Sequence, residues 1–375
     1  VTERLSALLR EEADVLQVPR PATSRIVAHG RGLRRRRRLT YGAAGLALAA
    51  IVGTGIGLAT SGGDDTPAVV DDNTDAPVTT ELRGANFTVG VTVFLDGGAV
   101  TATIDDKAVK SSYFTSAGLL VRHGDNNASD GGGPQRFSLV TPDGVVKPVS
   151  VVTQDVVPGV DPDQPYLAYA VVEDDVVEVV VHDVSSDQEV ARVAVADART
   201  WGGWSAPPVS LSGDVVYVGT DDVARTVNWR TGEVAETDVI GPGYPKVNGG
   251  RAVVPSGRGA AVIDVTTGEV LYRSEKAYPQ LSPDGRFATI DGGMTAGVGS
   301  FDVVDLANGE VVPVDGAAYE WGWTPEGSLV RLEGGHVRTC STTELDCSTG
   351  DRTIPSDGGG MAPDDVRFAG QTYES

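Results

Sequence analysis

The chain has 375 residues, 52 acidic against 30 basic side chains, a net charge of −22, and only two cysteines and four histidines. Most of its length would repel phosphates, which excludes a nucleic-acid partner there, and so few Cys and His leave little material for a structural metal site. The charge is divided unevenly: residues 1–38 hold ten Arg, no Lys and four acids, about +6, so the remainder carries about −28, an asymmetry that points to two compartments or two partners.

Taken in chain order, "TERLSALLREEADVLQVP" (2–19) reads as a helix capped by Thr2 and stopped by Pro19 and Pro21. Its apolar stripe (Leu5, Leu8, Leu9, Leu16) is too narrow for a core. Residues 2–18 are therefore expected either to contact a cytoplasmic partner or the membrane surface, or to form a weakly ordered tail whose arginines set topology. Leu39 to Thr60 follows, 22 residues without a charge. As a helix it covers roughly 30 Å, the thickness of a bilayer core. Five Arg precede it (34–38) and Asp64, Asp65, Asp71 and Asp72 follow. The positive-inside rule places 1–38 in the cytoplasm and the rest outside. A cleaved signal peptide is the rival, but a 38-residue basic region is too long for one. Gly53 and Gly57 lie one turn apart in this span, a spacing through which two copies could dimerise. They lack the Lys-Ser/Thr of a phosphate loop, and no cofactor is expected. Residues 61–84, rich in Gly, Asp, Thr and Pro, should be an extended acidic tether.

From residue 85 the texture becomes all-β, with Val-rich runs of four to seven residues alternating with Gly/Asp/Asn/Pro turns. The turns form two interleaved series. One is marked by Gly118, Pro165, Gly213, Gly250, Gly285 and Gly327, the other by Gly144, Gln188, Gly232, Gly268, Gly309 and Gly350. The second series is spaced 44, 44, 36, 41 and 41 residues. Two hairpin turns in about 40 residues mean four strands per repeat, the sequence form of a β-propeller blade. Six complete repeats are present. The extra hairpin at 88–104 and a strand within 364–375 could build one more blade from both termini, so the expected ring has six or seven blades.

"LSPDGRFATI" (281–290) and "WTPEGSLV" (323–330) resemble the repeat motif of TolB-like propellers, related in form to WD-repeat propellers. "VIDVTTGEVL" (262–271) and "VVDLANGEVV" (303–312) match the outer hairpin of the same unit. The resemblance spans roughly residues 110–355 and implies an all-β propeller. The N-terminal 60 residues resemble a membrane-anchored actinobacterial arrangement of short helix, Arg cluster, membrane helix and extracytoplasmic propeller, which implies no activity.

Candidate sites are few. Cys340 and Cys347 lie beyond the expected crossing, where an oxidising compartment favours a disulfide across a short loop. The loop 124–133 places Asp125, Asn127 and Ser129 at alternate positions, but Asp130 and Arg136 stand where a calcium loop needs Gly and Glu. Trp201, Trp204, Trp321 and Trp323 are candidate ligand-binding aromatics, with packing between blades as the alternative. No nucleophile elbow is present, since Pro207 follows Ser205 where Gly is needed, and the histidines show no close pairing. The expected function is a membrane-anchored extracytoplasmic interaction module for a protein or glycan. The alternative is a propeller enzyme acting on glycans or a quinone-dependent substrate, which would need convergent ionisable groups at the channel.

Overall fold

The computed structural model describes residues 81–375 except 128–132, 155, 197, 199–204, 222, 276, 292–298, 356–365 and 372–375. The helix at 2–18, the span at 39–60 with Gly53 and Gly57, and most of the tether at 61–84 lie outside the described residues. No helix among the described residues is long and apolar enough to cross a membrane.

The described strands form seven four-stranded antiparallel sheets. Six follow the chain, each running from an innermost to an outermost strand. Blade 1 spans Ala108–Thr153, blade 2 Gly159–Val195, blade 3 Val209–Thr237, blade 4 Val247–Ser274, blade 5 Gln280–Asp315 and blade 6 Gly322–Thr353. Blade 7 joins the two ends of the domain. Phe87–Val89, Thr92–Leu95 and Val100–Thr103 supply three strands, and Val366–Phe368 supplies the innermost one. The register pairs Phe87 with Phe368 and Val89 with Val366, and Phe87 also stacks on Phe94 at 5.1 Å between ring centroids. The expected hairpin at 88–104 and the strand within 364–375 are both found, and the blade count is seven.

The Val-rich runs have a physical reason. In a strand, successive side chains point to opposite faces, and a blade inside a ring has both faces covered. In the third strand of blade 2, Val177, Val179 and Val181 pack with Leu211, Val216 and Val218 of blade 3. Val180, between them, packs with Leu120, Phe137 and Leu139 of blade 1. The same division recurs around the domain: Val216 and Val218 face blade 2 while Tyr217 faces blade 4, and Leu329 faces blade 5 while Val330 faces blade 7. Seven apolar clusters of described residues correspond to the seven contacts between neighbouring blades. Each fully buried Val or Leu contributes about 1.5–3 kcal/mol, so an open ring would forfeit one whole interface.

The innermost turns are also linked to one another. The Asp161 carboxylate accepts the amides of Asp163 at 3.0 Å and Gly213 at 2.7 Å, joining blades 2 and 3. Ser212 Oγ accepts the Gly250 amide at 2.9 Å, joining blades 3 and 4. The Asn248 side-chain amide donates to Ser282 O at 3.2 Å, joining blades 4 and 5.

Gly118, Gly213, Gly250, Gly285 and Gly327 all sit at positive φ between an innermost strand and its neighbour, and Gly144, Gly232, Gly268 and Gly309 at positive φ before an outermost strand. At Gly285, φ is +68° and a Cβ would collide with the Asn248 carbonyl of blade 4, so the turn needs glycine for both conformation and space. Two expected markers differ. Gly350 does not turn: it lies inside the outermost strand Cys347–Thr353, and the chain reverses at 341–346, where Ser341 N donates to Asp346 O. Blade 6 makes this turn without glycine, because Leu345 adopts φ +52° and the Cys340–Cys347 disulfide closes the hairpin. In blade 2, Asp187 holds the left-handed position (φ +55°) and Gln188 begins the strand.

Candidate functional site

The innermost strands surround a central channel whose two ends differ. One end is formed by segments leading from the outermost strand of a blade into the innermost strand of the next; we call it the crossover end. The other is formed by turns between innermost and second strands, the turn end.

At the crossover end a cavity of about 110 Å³ lies over blades 3 to 6. Its walls include Ser210, Tyr244, Asn248, Gln280, Trp321 and Gln371. No carboxylate is among its described lining residues, and Lys246 is its one charged side chain. A narrower cavity continues inward past Tyr113, Phe114 and Asn248, again without a carboxylate among its described walls. Gly370 and Gln371, just past the closing strand, lie along both cavities. Gly370 N donates to Ser112 O at 2.8 Å, and the Gln371 side-chain amide donates to the Trp321 carbonyl. At Gly370, φ is +74° and a Cβ would collide with Pro283, so only glycine lets the chain pass there.

At the turn end a broader basin of about 380 Å³ is lined by Glu81, Asp163 and Asp284 among Pro162, Pro283 and Pro325. Burial, then the charges of Asp161 and Asp284, push the Asp163 carboxyl above its ordinary value. Asp284 is engaged in its own turn: its Oδ1 accepts the Ser282 hydroxyl at 2.6 Å and the Arg286 amide at 3.0 Å.

Of the candidate aromatics, Trp201 and Trp204 lie outside the described residues. Trp321 and Trp323 are buried between blades 5 and 6. Trp323 stacks on Phe287 at 5.9 Å, and Trp321 carries the Arg331 guanidinium at 4.7 Å from its ring centre and donates Nε1–H to Asp315 O at 3.1 Å. Both also line the crossover cavity, so they combine core packing with a place in its wall. Trp229 is buried as well, with Tyr166 edge-on and Arg230 over its ring. Asp125, in the loop whose pattern departs from a calcium loop, pairs with Lys107 at 3.2 Å and Arg136 at 3.3 Å.

The structure does bring a histidine, a serine and an aspartate together, which sequence spacing did not reveal. His123 Nδ1 lies 2.6 Å from Asp106 Oδ2 and Nε2 lies 3.0 Å from Ser138 Oγ. A neutral ring serves both with its proton on Nδ1, the order found in hydrolase triads. Here the serine is a mid-strand residue only 6% exposed, and both oxygens of Asp106 are held by Arg136 at 2.8 and 2.9 Å. The Arg136 pairing, against the opposing effect of burial and with help from His123, holds the Asp106 carboxyl well below the usual carboxylate range. This network fastens the crossover into blade 1 onto two of its strands. A second one, in which Asp187 accepts from the Ser150 amide and hydroxyl and lies 2.9 Å from His182 Nε2, fastens blade 1 to blade 2.

No protein-family model matches the chain, and no curated protein matches it. Among solved structures, the chain is similar to hydrazine synthase of Kuenenia stuttgartiensis at 18% identity over 62% of this chain and 76% of that one, with a TM-score of 0.39. It is similar to TolB from Acinetobacter baumannii at 16% identity over 63% of this chain and 62% of that one, TM-score 0.39. It is also similar to apo AztD from Citrobacter koseri at 11% identity over 74% and 96%, TM-score 0.43. At these identities the likeness concerns the fold alone.

Proposed function

We propose that this seven-bladed β-propeller is a binding module, held outside the cell by the apolar segment 39–60, and that its ligand enters the channel at the crossover end. The observation that carries this is the chemistry of the channel walls. In a domain rich in acids, the described lining of both inner cavities contains aromatics, amides and hydroxyls, and no carboxylate. Such walls offer hydrogen bonds and apolar contact area, the usual composition of a recognition site. Lys246 and the tyrosines are the titratable groups of the described lining, which holds no histidine or carboxylate to pair with them, and this weighs against the enzyme alternative. The Asp106–His123–Ser138 network is accounted for by its place inside blade 1.

Tryptophan emission tests the binding role directly, because Trp321 and Trp323 stand in the cavity wall. Full-length protein titrated with solubilised cell-envelope extract should show a saturable change in emission. Gln280→Trp, at an exposed rim position, should block the cavity and abolish that titration while the thermal transition stays in place. A response unaffected by Gln280→Trp would move binding away from the channel. For the orientation, protease added to intact spheroplasts should remove the domain carrying Trp321, and full protection of that domain would reverse it.

A further inference from the structure

We infer that the ligand taken at the crossover end is a neutral glycan chain, and that its contact platform is a row of tyrosines on consecutive blades: Tyr244, Tyr278 and Tyr319. This rests on the crossover end being the binding face. The three residues stand in the segments entering blades 4, 5 and 6, and two repeat a short motif, Tyr244-Pro245 and Tyr278-Pro279, each three residues before the innermost-strand apolar residues Val247 and Leu281. Tyr244 lines the cavity itself, while Tyr278 and Tyr319 adjoin the lining residues Pro279 and Ala318. Tyr278 is 56% and Tyr319 72% exposed, and they are the only aromatic rings among the exposed large hydrophobic side chains of the described residues. Nothing in the packing of blades requires a large ring at either place.

Three considerations select the ligand class. First, an aromatic ring presents an apolar face that matches the C–H face of a pyranose, and a phenol adds a hydrogen-bonding tip. Beside the rings, Asn248 and Gln280 supply amides for sugar hydroxyls. Second, the described cavity lining holds one charged side chain, Lys246, while the exposed acids of the same entering segments, Asp238, Glu275 and Glu320, lie outside it. Lys246 and Glu320 are both exposed, and Arg331 is paired with Glu333 at 3.0 Å. A strongly anionic polymer would meet a domain of about −28 net charge with a single lining lysine to receive it. A polycation would meet no carboxylate in the described lining of this cavity, whereas Glu81, Asp163 and Asp284 line the basin at the turn end. Third, the strand-addition mode of peptide recognition needs a sheet edge long enough to pair with. The innermost strands of blades 4, 5 and 6 are two residues long, Val247–Asn248, Gln280–Leu281 and Gly322–Trp323, which leaves too short a ladder. A row of rings on successive blades instead suits a chain of repeating units.

The test is affinity electrophoresis of the full-length protein in gels containing yeast mannan, soluble starch, β-1,3-glucan or xylan, with alginate and polygalacturonate as anionic controls. At least one neutral polysaccharide should retard the protein. Tyr278→Ala with Tyr319→Ala should weaken that retardation at least about tenfold, the loss of one or two stacked rings, and the corresponding Tyr→Phe pair should restore most of it. Both positions are exposed, so an unchanged thermal transition separates lost contact from lost fold. Retardation by the anionic polymers alone would overturn the neutral class. A Gln280→Trp-sensitive emission change caused by a peptide pool, with no retardation by any glycan, would overturn the glycan while leaving the channel as the binding site. Emission insensitive to Gln280→Trp, together with no retardation, would overturn the channel site as well.

Discussion

The two ends of the channel are made by the same repeating unit, yet the described lining of one carries carboxylates and that of the other carries none. At the turn end, the Ser/Thr-Pro-Asp/Glu-Gly signature places a carboxylate in the turn, and that carboxylate has a local task. Asp284 accepts hydrogen bonds from Ser282 and Arg286 of its own turn, and Asp161 accepts the amides that tie blade 2 to blade 3. The acidity of this end is thus a consequence of turn chemistry. At the crossover end, Tyr278 and Tyr319 are exposed rings outside the seven blade-to-blade clusters. Side chains that the fold does not use are better pointers to recognition than a charge that the fold explains.

Both ends exist only while the ring is closed, so the largest effect should come from deleting residues 366–375. This removes the innermost strand of blade 7 and its pairing with Phe87–Val89. Phe87 and Val330, both buried, would lose their cover from Phe368. We expect an aggregating or protease-sensitive chain, scored by limited proteolysis and size-exclusion chromatography. A monomer with an undiminished cooperative transition would mean that closure is dispensable.

Gly285→Val strikes the turn end alone. It forces a β-branched residue to positive φ and against the Asn248 carbonyl, and should cost about 3 kcal/mol in denaturant unfolding. Gly309→Val is a useful contrast. That turn has positive φ but open space around the missing Cβ, so it should cost about 1–2 kcal/mol.

The disulfide lies in the outer hairpin of blade 6. Closing so short a loop should stabilise the fold by about 2 kcal/mol. Cys340→Ser with Cys347→Ser should therefore lower stability by about that amount, whereas the Gln280→Trp-sensitive emission titration should be unchanged. Alkylation of both thiols in unreduced native protein would show that the bond is absent.

The smallest effect belongs to Asp163. Its carboxyl is raised by burial and by Asp161 and Asp284, so its ionised form opposes folding. That penalty is absent when the group is protonated in both states, below roughly pH 4, and grows as pH rises through the folded value. Asp163→Asn should stabilise the protein near neutral pH by a few tenths of a kcal/mol, since the carboxyl is only partly withdrawn from solvent and its charge is largely screened, and the gain should vanish under acid conditions. Asp106 has the opposite sign. Its lowered carboxyl contributes stability above the ordinary carboxylate range that is lost as pH falls, so Asp106→Asn should destabilise at neutral pH.

How much of this was legible in the sequence follows from which interactions are local. Turns at Gly213, Gly232, Gly268 and Gly285 were visible because a positive φ leaves a glycine in the sequence. The seventh blade was only half visible, because Val366–Phe368 pairs with a strand more than 270 residues earlier in the chain, and three residues carry no periodicity. The turn at 341–346 was misplaced to Gly350 because a disulfide and Leu345 do there what glycine does elsewhere. The Asp106–His123–Ser138 network left no signal, since its members sit on a crossover and two neighbouring strands at spacings set by the blade. The tryptophans stood out by rarity, but Trp321 and Trp323 turned out to be interior walls, while the tyrosines at the rim were hidden among ten.

The most direct measurement is hydroxyl-radical footprinting of the full-length protein in intact cells against the purified protein, read at individual side chains. Tyr278 and Tyr319 should be protected in cells, while Pro283 at the turn end and Val311 on the outer edge should react equally in both samples. Protection confined to Pro283 and its neighbours, or no protection at the two tyrosines, would contradict the assignment of the crossover end as the binding face.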